Sequence, residues 1–321
     1  VPDEKIIAVV GATGAQGGGL ARAILSDSAG GFAARALTRH VDSVKASALA
    51  GAGANVVYAD LDNVEAVARA FAGASAAFCV TNFWEHFSPE RELAQARSMA
   101  QAARRAGLQH VIWSTLEDTR RWVPLQDPRM PTLMGHYKVP HFDAKGEANQ
   151  IFVDLGIPTT FLMTSFYWDN LLHFPGMALQ RRADGTLAIQ LPLGVRKLPG
   201  MAAEDIGRCA YGVFKHGRDF VGRTLGIAGE HLTGAEMAAK LTHALGRATV
   251  FADVAPDLYR AMDIPHAPEL GNMFQFKHDF QEAFCGARDV GLSRAINPSL
   301  QTFDMWLADN GSRIPVDEWP P

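Results

Sequence analysis

His141 and Lys145 are the side chains in this sequence best placed for proton chemistry. A spacing of four puts both on one face of a helix, one turn apart. An imidazole with an unperturbed pKa near ~6.5 can give or take a proton at neutral pH. A lysine ammonium can hold a polar ligand group or protonate a substrate oxygen, the more so where burial lowers its pKa. Ser114, just past a short apolar run, stands where a hydroxyl can orient a carbonyl. Tyr137 lies four residues before His141, but Pro140 suits the first turn of a helix, which leaves Tyr137 in the preceding loop. Phe83, Trp84, Trp122, Phe166, Tyr167 and Trp168 can wall an apolar pocket, with Trp84, Trp122, Tyr167 and Trp168 as the expected substrate contacts.

A second constellation is built for phosphate. Gly11-Ala12-Thr13-Gly14-Ala15-Gln16-Gly17 follows an apolar run and opens a helical stretch. Glycine is needed where the backbone turns sharply, where it approaches a pyrophosphate, and where helix and strand pack closely. The helix N-terminus then offers unpaired N–H groups and a positive dipole end. After the second apolar run comes Leu37-Thr38-Arg39-His40, with no acid until Asp42. A carboxylate there would accept from a ribose 2′-OH, whereas an arginine accommodates a 2′-phosphate. Arg39 therefore predicts NADP(H) rather than NAD(H). Asp60 and Leu61 end the third run on the same edge, where a carboxylate can accept from the adenine amino group; Asp62 or Asn63 can cap the next helix. Thr81, Asn82 and Phe83 follow the fourth run and border the nicotinamide side of the crevice.

The elements that must position these residues alternate steadily. Residues 6–10, 33–38, 55–58, 75–80, 110–113 and 159–164 read as strands, with helices near 20–25, 41–49, 63–71, 89–106 and 140–155 between them. Near-continuous apolar strands alternating with helices predict a Rossmann-type α/β fold, a doubly wound parallel sheet. Residues 1–165 form the NADP(H)-binding domain in this reading, and 166–321 a smaller C-terminal α/β lobe for substrate or partner, some segments of which can return to the main sheet. Residues 203–215, 233–245 and 301–308 are its clearest helices. The proline-bearing stretch 118–139 reads as a long loop leaving the active-site edge, and is expected to cover a substrate pocket.

Composition narrows the function further. The chain of 321 residues is 48% apolar and 20% charged, with a net charge of −4. Neither half carries the basic excess that phosphate-backbone binding needs, so no nucleic acid is expected. No apolar run reaches the roughly 20 residues of a membrane span. The opening residues, from Val1 to Lys5, lead directly into an apolar strand, unlike a signal peptide. Three cysteines without a CxxC pair, and eleven histidines without HExxH, predict neither disulfides nor metal and fit a cytoplasmic protein. Cys79, at the end of the fourth strand, is expected to be buried packing.

Residues 11–17, Arg39, Val80-Thr81-Asn82-Phe83-Trp84-Glu85, His141-Phe142-Asp143-Ala144-Lys145-Gly146-Glu147 and Asn272-Met273-Phe274 resemble the NmrA-like family over nearly the whole chain. The family comprises atypical short-chain dehydrogenase/reductases, and these stretches look closest to its HSCARG NADPH-sensor branch. The resemblance implies a cofactor cleft between two lobes, with Ser165, Phe166, Tyr167 and Trp168 against the nicotinamide; Lys145 itself can hold the nicotinamide ribose or protonate a substrate oxygen. Ala94 stands where the sensor branch is expected to carry a basic residue. Typical short-chain dehydrogenases use Tyr-x-x-x-Lys; here His141 occupies the tyrosine position. Two functions follow. One is an NADPH-dependent reductase of a small apolar carbonyl, enone, quinone or imine-type substrate, with Lys145, His141 and Ser114 as catalytic residues. The other is a non-catalytic NADP(H) redox sensor acting through a regulatory protein partner. A homodimer is compatible with both.

Overall fold

The structure, a computed structural model, describes residues 4–174 and 177–316. Its strands are β1 (Lys5–Val10), β2 (Phe32–Thr38), β3 (Asn55–Tyr58), β4 (Ala76–Cys79), β5 (His110–Thr115), β6 (Thr159–Met163) and β7 (Phe166–Tyr167). After these come β8 (Gln180–Arg181), β9 (Leu187–Leu191), β10 (Lys197–Met201), β11 (Thr224–Gly226), β12 (Glu230–Thr233) and β13 (Thr249–Asp253). Seven of them form one sheet in the order β11-β6-β5-β4-β1-β2-β3, every neighbouring pair parallel. All residues of β4 and β5 are buried, as their largely apolar sequences require of strands covered on both faces; the one imidazole, His110, meets Thr160 Oγ1 at 2.8 Å. The expected doubly wound α/β sheet is therefore present.

From β1 the chain winds outward to β2 and β3, then returns to β4 and winds the other way. That reversal opens a crevice at the carboxyl ends of β1 and β4. The crossover helices are α1 (Ala15–Ser26), α2 (Val44–Gly51), α3 (Val64–Phe71), the single turn α4 (Phe83–His86), α5 (Pro89–Ala106) and α6 (Pro140–Asp154). Local signals set their ends. Ser43 and Asn63 accept from the first-turn amides of α2 and α3, Ser88 and Pro89 start α5, and Gly107 stops it.

The rest of the chain adds α7 (Asn170–His173), α8 (Ala203–Lys215), α9 (Gly234–Leu245), α10 (Pro256–Arg260), α11 (Ala267–Asp279), α12 (Gln281–Gly286), α13 (Val290–Ile296) and α14 (Phe303–Asn310). Two small sheets, β12-β10-β7 and β13-β9-β8, accompany them. This part is interleaved with the first. β11 extends the main sheet beside β6, and α8 packs on α1 with backbones in contact. A methyl on Gly207 would lie 2.0 Å from Leu20 N, and one on Gly19 would lie 2.4 Å from Glu204 O.

The stretch 118–139 differs from the expected lid, since none of its described residues lines the cleft. Its polar atoms are bonded down instead. Asp143, near the start of α6, accepts from Thr119 N and Oγ1 and from Lys138 N and Val139 N. Lys138 Nζ donates to the carbonyls of Asp127 and Met130, while Asn272 and Gln275 of α11 donate to those of Pro131, Lys138 and Arg129. The loop is a clamp between α6 and α11.

Candidate active site

One cleft of about 590 Å³ runs along the carboxyl edge of the sheet. At one end is the glycine loop. Gly11 has φ +64°, a left-handed conformation that glycine adopts without strain. At Gly17 a methyl would lie 2.5 Å from Gly11 O and 2.6 Å from Val10 O, so the helix can approach the strand only without a side chain. No side chain caps α1 and its first turn carries no acid, leaving N–H groups and the dipole end open to an anion. These features fit a pyrophosphate.

Arg39 follows directly on β2, and the structure adds a partner. Its guanidinium donates to both carboxylate oxygens of Glu85 on α4, at 2.6 and 2.8 Å. This pairing holds the Glu85 carboxyl below its usual range. Asp60 accepts from Asp62 N, Asp62 pairs with Arg91 and Gln95, and Asn63 is the cap of α3.

Deeper in the cleft, Lys145 is 8% exposed and its charge is answered. Nζ donates to Thr81 Oγ1 at 2.6 Å and Thr81 O at 3.2 Å, and lies 2.7 Å from Glu92 Oε1. An ammonium has three N–H groups, so these contacts engage all of them. Glu92, on α5, is fully buried, and its other oxygen lies 3.5 Å from His86 Nε2. Burial pushes this carboxyl up, but the Lys145 charge, the nearby His86 ring and hydrogen bonds from Lys145 and Thr81 outweigh it and hold the pKa at about 2.

Two further polar systems line the same space. Ser114 Oγ donates to Gln16 Oε1 at 2.7 Å, and Gln16 Nε2 donates to Tyr167 OH at 2.6 Å, which ties the glycine loop to β5 and β7. Burial pushes the Tyr167 phenol up. His141 meets Glu269 of α11, which accepts from the His141 backbone N–H at 2.8 Å and contacts Nδ1 at 2.6 Å. The ring packs against Trp84, with centroids 4.7 Å apart, and Nε2 remains without a partner among the described residues. A carboxylate on one imidazole nitrogen fixes the ring while the other nitrogen stays available.

The far end is apolar. Phe142, Phe166, Phe174, Met177, Met273 and Phe284 line it together with Lys277 of α11 and Ser165. Behind Phe284, Arg288 is fully buried and stacked 3.6 Å from the ring centroid, and it pairs in two-point fashion with Glu117.

The structure thus gathers Gly11, Thr13, Gly14, Ala15, Gln16, Gly17, Arg39, Asp60, Leu61, Thr81, Asn82, Phe83, Trp84, Ser114, His141, Lys145, Ser165, Phe166 and Tyr167 around one cleft. Trp122 and Trp168 lie elsewhere, correcting their expected contacts. Trp168 is 1% exposed and packs on Phe303 and Trp306, because it leaves β7 on the side of the C-terminal core. Trp122 packs on Phe276 in the same core. Tyr137 is buried under Arg120 outside the cleft. Cys79 is buried, and burial pushes its thiol far above neutrality, so it is core packing. Sequence reading missed the roles of Glu85, Glu92, Glu269 and Lys277. Pro268 at the first turn of α11 was the available signal for the last two. Among the described residues no helix is long and apolar enough to cross a membrane, and no group of three or more potential metal ligands occurs.

Comparison with known proteins finds relatives of the same fold. The chain is 28% identical over 292 residues to the NmrA-like family domain-containing oxidoreductase FrzB of Cladobotryum sp, covering 84% of this chain and 83% of that one. Among solved structures, NmrA, a negative transcriptional regulator, superimposes with TM-score 0.79 in its complex with NAD and 0.78 in its complex with NADP. Both are 24% identical and cover 96% of this chain and 95% of that one. The triphenylmethane reductase of Citrobacter sp., solved with NADP(H), gives TM-score 0.71 at 19% identity, covering 95% and 99%. The model of the NmrA-like family matches residues 3–303, and with the glycine loop, the α6 row and the two-part cleft all in place, the chain belongs to that family.

Proposed function

We propose that the protein binds NADP(H) and reduces a small, largely apolar carbonyl, enone, quinone or imine-type substrate. The observation that carries this reading is the continuity of the cleft, from the glycine loop and Arg39 through Lys145 and His141 to an apolar end. The uncapped start of α1 and the methyl-free surface at Gly17 would hold the pyrophosphate, and Arg39 would take the 2′-phosphate. NADPH, when bound, supplies a hydride from its nicotinamide ring.

The chain's own residues divide the remaining work. Lys145, Thr81 and Glu92 form a polar cluster in which a ribose hydroxyl would take the place of one Thr81 contact of the ammonium, with Glu92 holding the amine in position. Lys145 is then a binding group rather than a free proton donor. His141, its Nδ1 held by Glu269, presents Nε2 as the proton donor to the reduced substrate atom. Ser114 keeps Gln16 and Tyr167 in place beside it. The other reading is an NADP(H) redox sensor, as in the HSCARG branch, and the regulator NmrA, whose fold this chain shares, lends it weight. The test is NADPH oxidation across quinones, enones, aldehydes, ketones and cyclic imines, with NADPH affinity measured on the same sample. Turnover that falls at least a hundredfold in His141→Ala, with NADPH affinity kept, supports the reductase. Firm NADPH binding with no turnover anywhere supports the sensor.

A further inference from the structure

The end of the cleft remote from the glycine loop holds one charge-bearing group that the scheme above does not use. Lys277 is 3% exposed and lines the cleft. Its Nζ lies 5.1 Å from the ring centroid of Phe274, 5.5 Å from Phe142, 5.6 Å from Phe284 and 6.0 Å from Phe166. Ring faces attract a cation but accept no ordinary hydrogen bond from it. Among the described residues nothing accepts a hydrogen bond from this amine. Glu117, the carboxylate whose charge reaches it, is already closed on Arg288 at 2.5 and 3.0 Å. Ser165 Oγ, in the same cleft, is also buried without a partner. Polar groups in such a setting are almost always satisfied, so a lysine amine that lines the cleft with no protein acceptor and a buried, unpartnered hydroxyl in the same cleft mark where a ligand oxygen belongs.

We propose that Lys277 is the counter-charge for an anionic oxygen, a carboxylate above all, on an otherwise apolar substrate. This assignment of substrate class rests on the reductase reading of the same cleft. The other titratable groups around that space are already matched: on α6, Lys145 by Glu92 of α5 and His141 by Glu269 of α11, and behind the aromatic wall Arg288 by Glu117. Only Lys277 among these is left for a ligand. Burial first, and then the like charge of Arg288, push its pKa down to about 7 against the opposing pull of Glu117. With no counter-ion beside it the amine therefore gives up its proton more readily than an exposed lysine. A carboxylate placed beside it, out of water, restores the proton, so binding and protonation are linked.

The experiment is calorimetric titration at pH 8, with and without NADP+, in two buffers of different ionisation heat. The probes are benzoate, cinnamate, 1-naphthoate and octanoate, each paired with its amide. At least one carboxylate should bind tenfold or more tighter than its amide and take up more than roughly half a proton, as a group moving from a pKa near 7 to full protonation requires. Lys277→Met should abolish both the preference and the uptake while keeping amide and NADP+ affinity. Lys277→Arg, which stays charged, should keep the preference without the uptake. The proposal is overturned if carboxylates bind no better than amides, if none binds, or if proton uptake survives in either variant. Failure of the reductase reading shows separately, as absent NADPH oxidation, and leaves the carboxylate preference intact.

Discussion

At the glycine-loop end of the cleft Arg39 faces Glu85, and nearby Lys145 faces Glu92, whereas at the opposite end Lys277 faces four aromatic rings and no carboxylate of its own. The first arrangement holds cationic side chains in fixed positions before any ligand arrives. The second leaves a donor whose partner is not part of the chain. A surface prepared for a constant, polyanionic cofactor can carry its own counter-charges, because the ligand's contacts are spread over backbone amides and a helix end as well. A surface that must select one substrate gains discrimination by leaving a buried donor unmatched, since a ligand lacking the acceptor then leaves it unsatisfied.

The largest effect expected is from Lys145→Ala. It removes the partner of a fully buried carboxylate, and breaking such a pair costs about 3–5 kcal/mol. Denaturant unfolding should show that loss, and adding Glu92→Gln should restore a good part of it. If Lys145→Ala unfolds like the parent, the cofactor end is not held by internal charge pairing. Because Glu92 titrates near 2 when folded against 4.5 ordinarily, its contribution is complete above about pH 4.5 and is lost as the pH falls towards 2. In the Lys145→Ala, Glu92→Gln double variant that part of the acid sensitivity should vanish.

Next in size is the His141 row. Glu269→Gln should lower kcat by about tenfold or more through loss of ring orientation, with NADPH affinity unchanged. An equal fall in NADPH affinity would place this pair at the cofactor end instead. The third measurement sharpens the contrast directly. Lys277 binds its proton less tightly folded, near pH 7, than unfolded, near 10.5, so it penalises folding most below pH 7, and the penalty fades as the pH rises towards 10.5. Lys277→Met should melt higher than the parent at pH 6–7, by a margin that shrinks steadily to pH 10; a margin independent of pH would mean the amine is not titrating in the cleft. The smallest effect concerns Arg39. Half-exposed ion pairs are worth about 0.2–1 kcal/mol, so Glu85→Gln should tighten NADPH binding by no more than about fivefold. Arg39→Ala should lower the NADPH/NADH affinity ratio, and an unchanged ratio would remove the 2′-phosphate assignment.

How far the sequence discloses each end follows from distance along the chain. The phosphate site is one strand, one turn and one helix, so its glycines, its open helix start and Arg39 can be read within about thirty residues. The pairings that complete the site join remote elements: Lys145 with Glu92 across two packed helices, and His141 with Glu269 over 128 residues. α11 hides itself further. Residues 269–277 are buried on every side of the helix, so no apolar stripe alternates with a polar one, and the amphipathic period that discloses α3 or α8 is absent. The loop 118–139 misleads for a related reason. Its prolines and charges read as a mobile cover, but Asp143, Asn272 and Gln275 satisfy its backbone from helices that the local sequence does not point to.

The contact between α1 and α8 has a mechanical consequence. Where side chains separate two helices, rotamer changes give the joint some slack; at Gly19 and Gly207 the main chains themselves meet, with no room for even a methyl group. The helix that would face the pyrophosphate is therefore braced along its back like an anvil. Its central amides should exchange with solvent only when the whole domain unfolds.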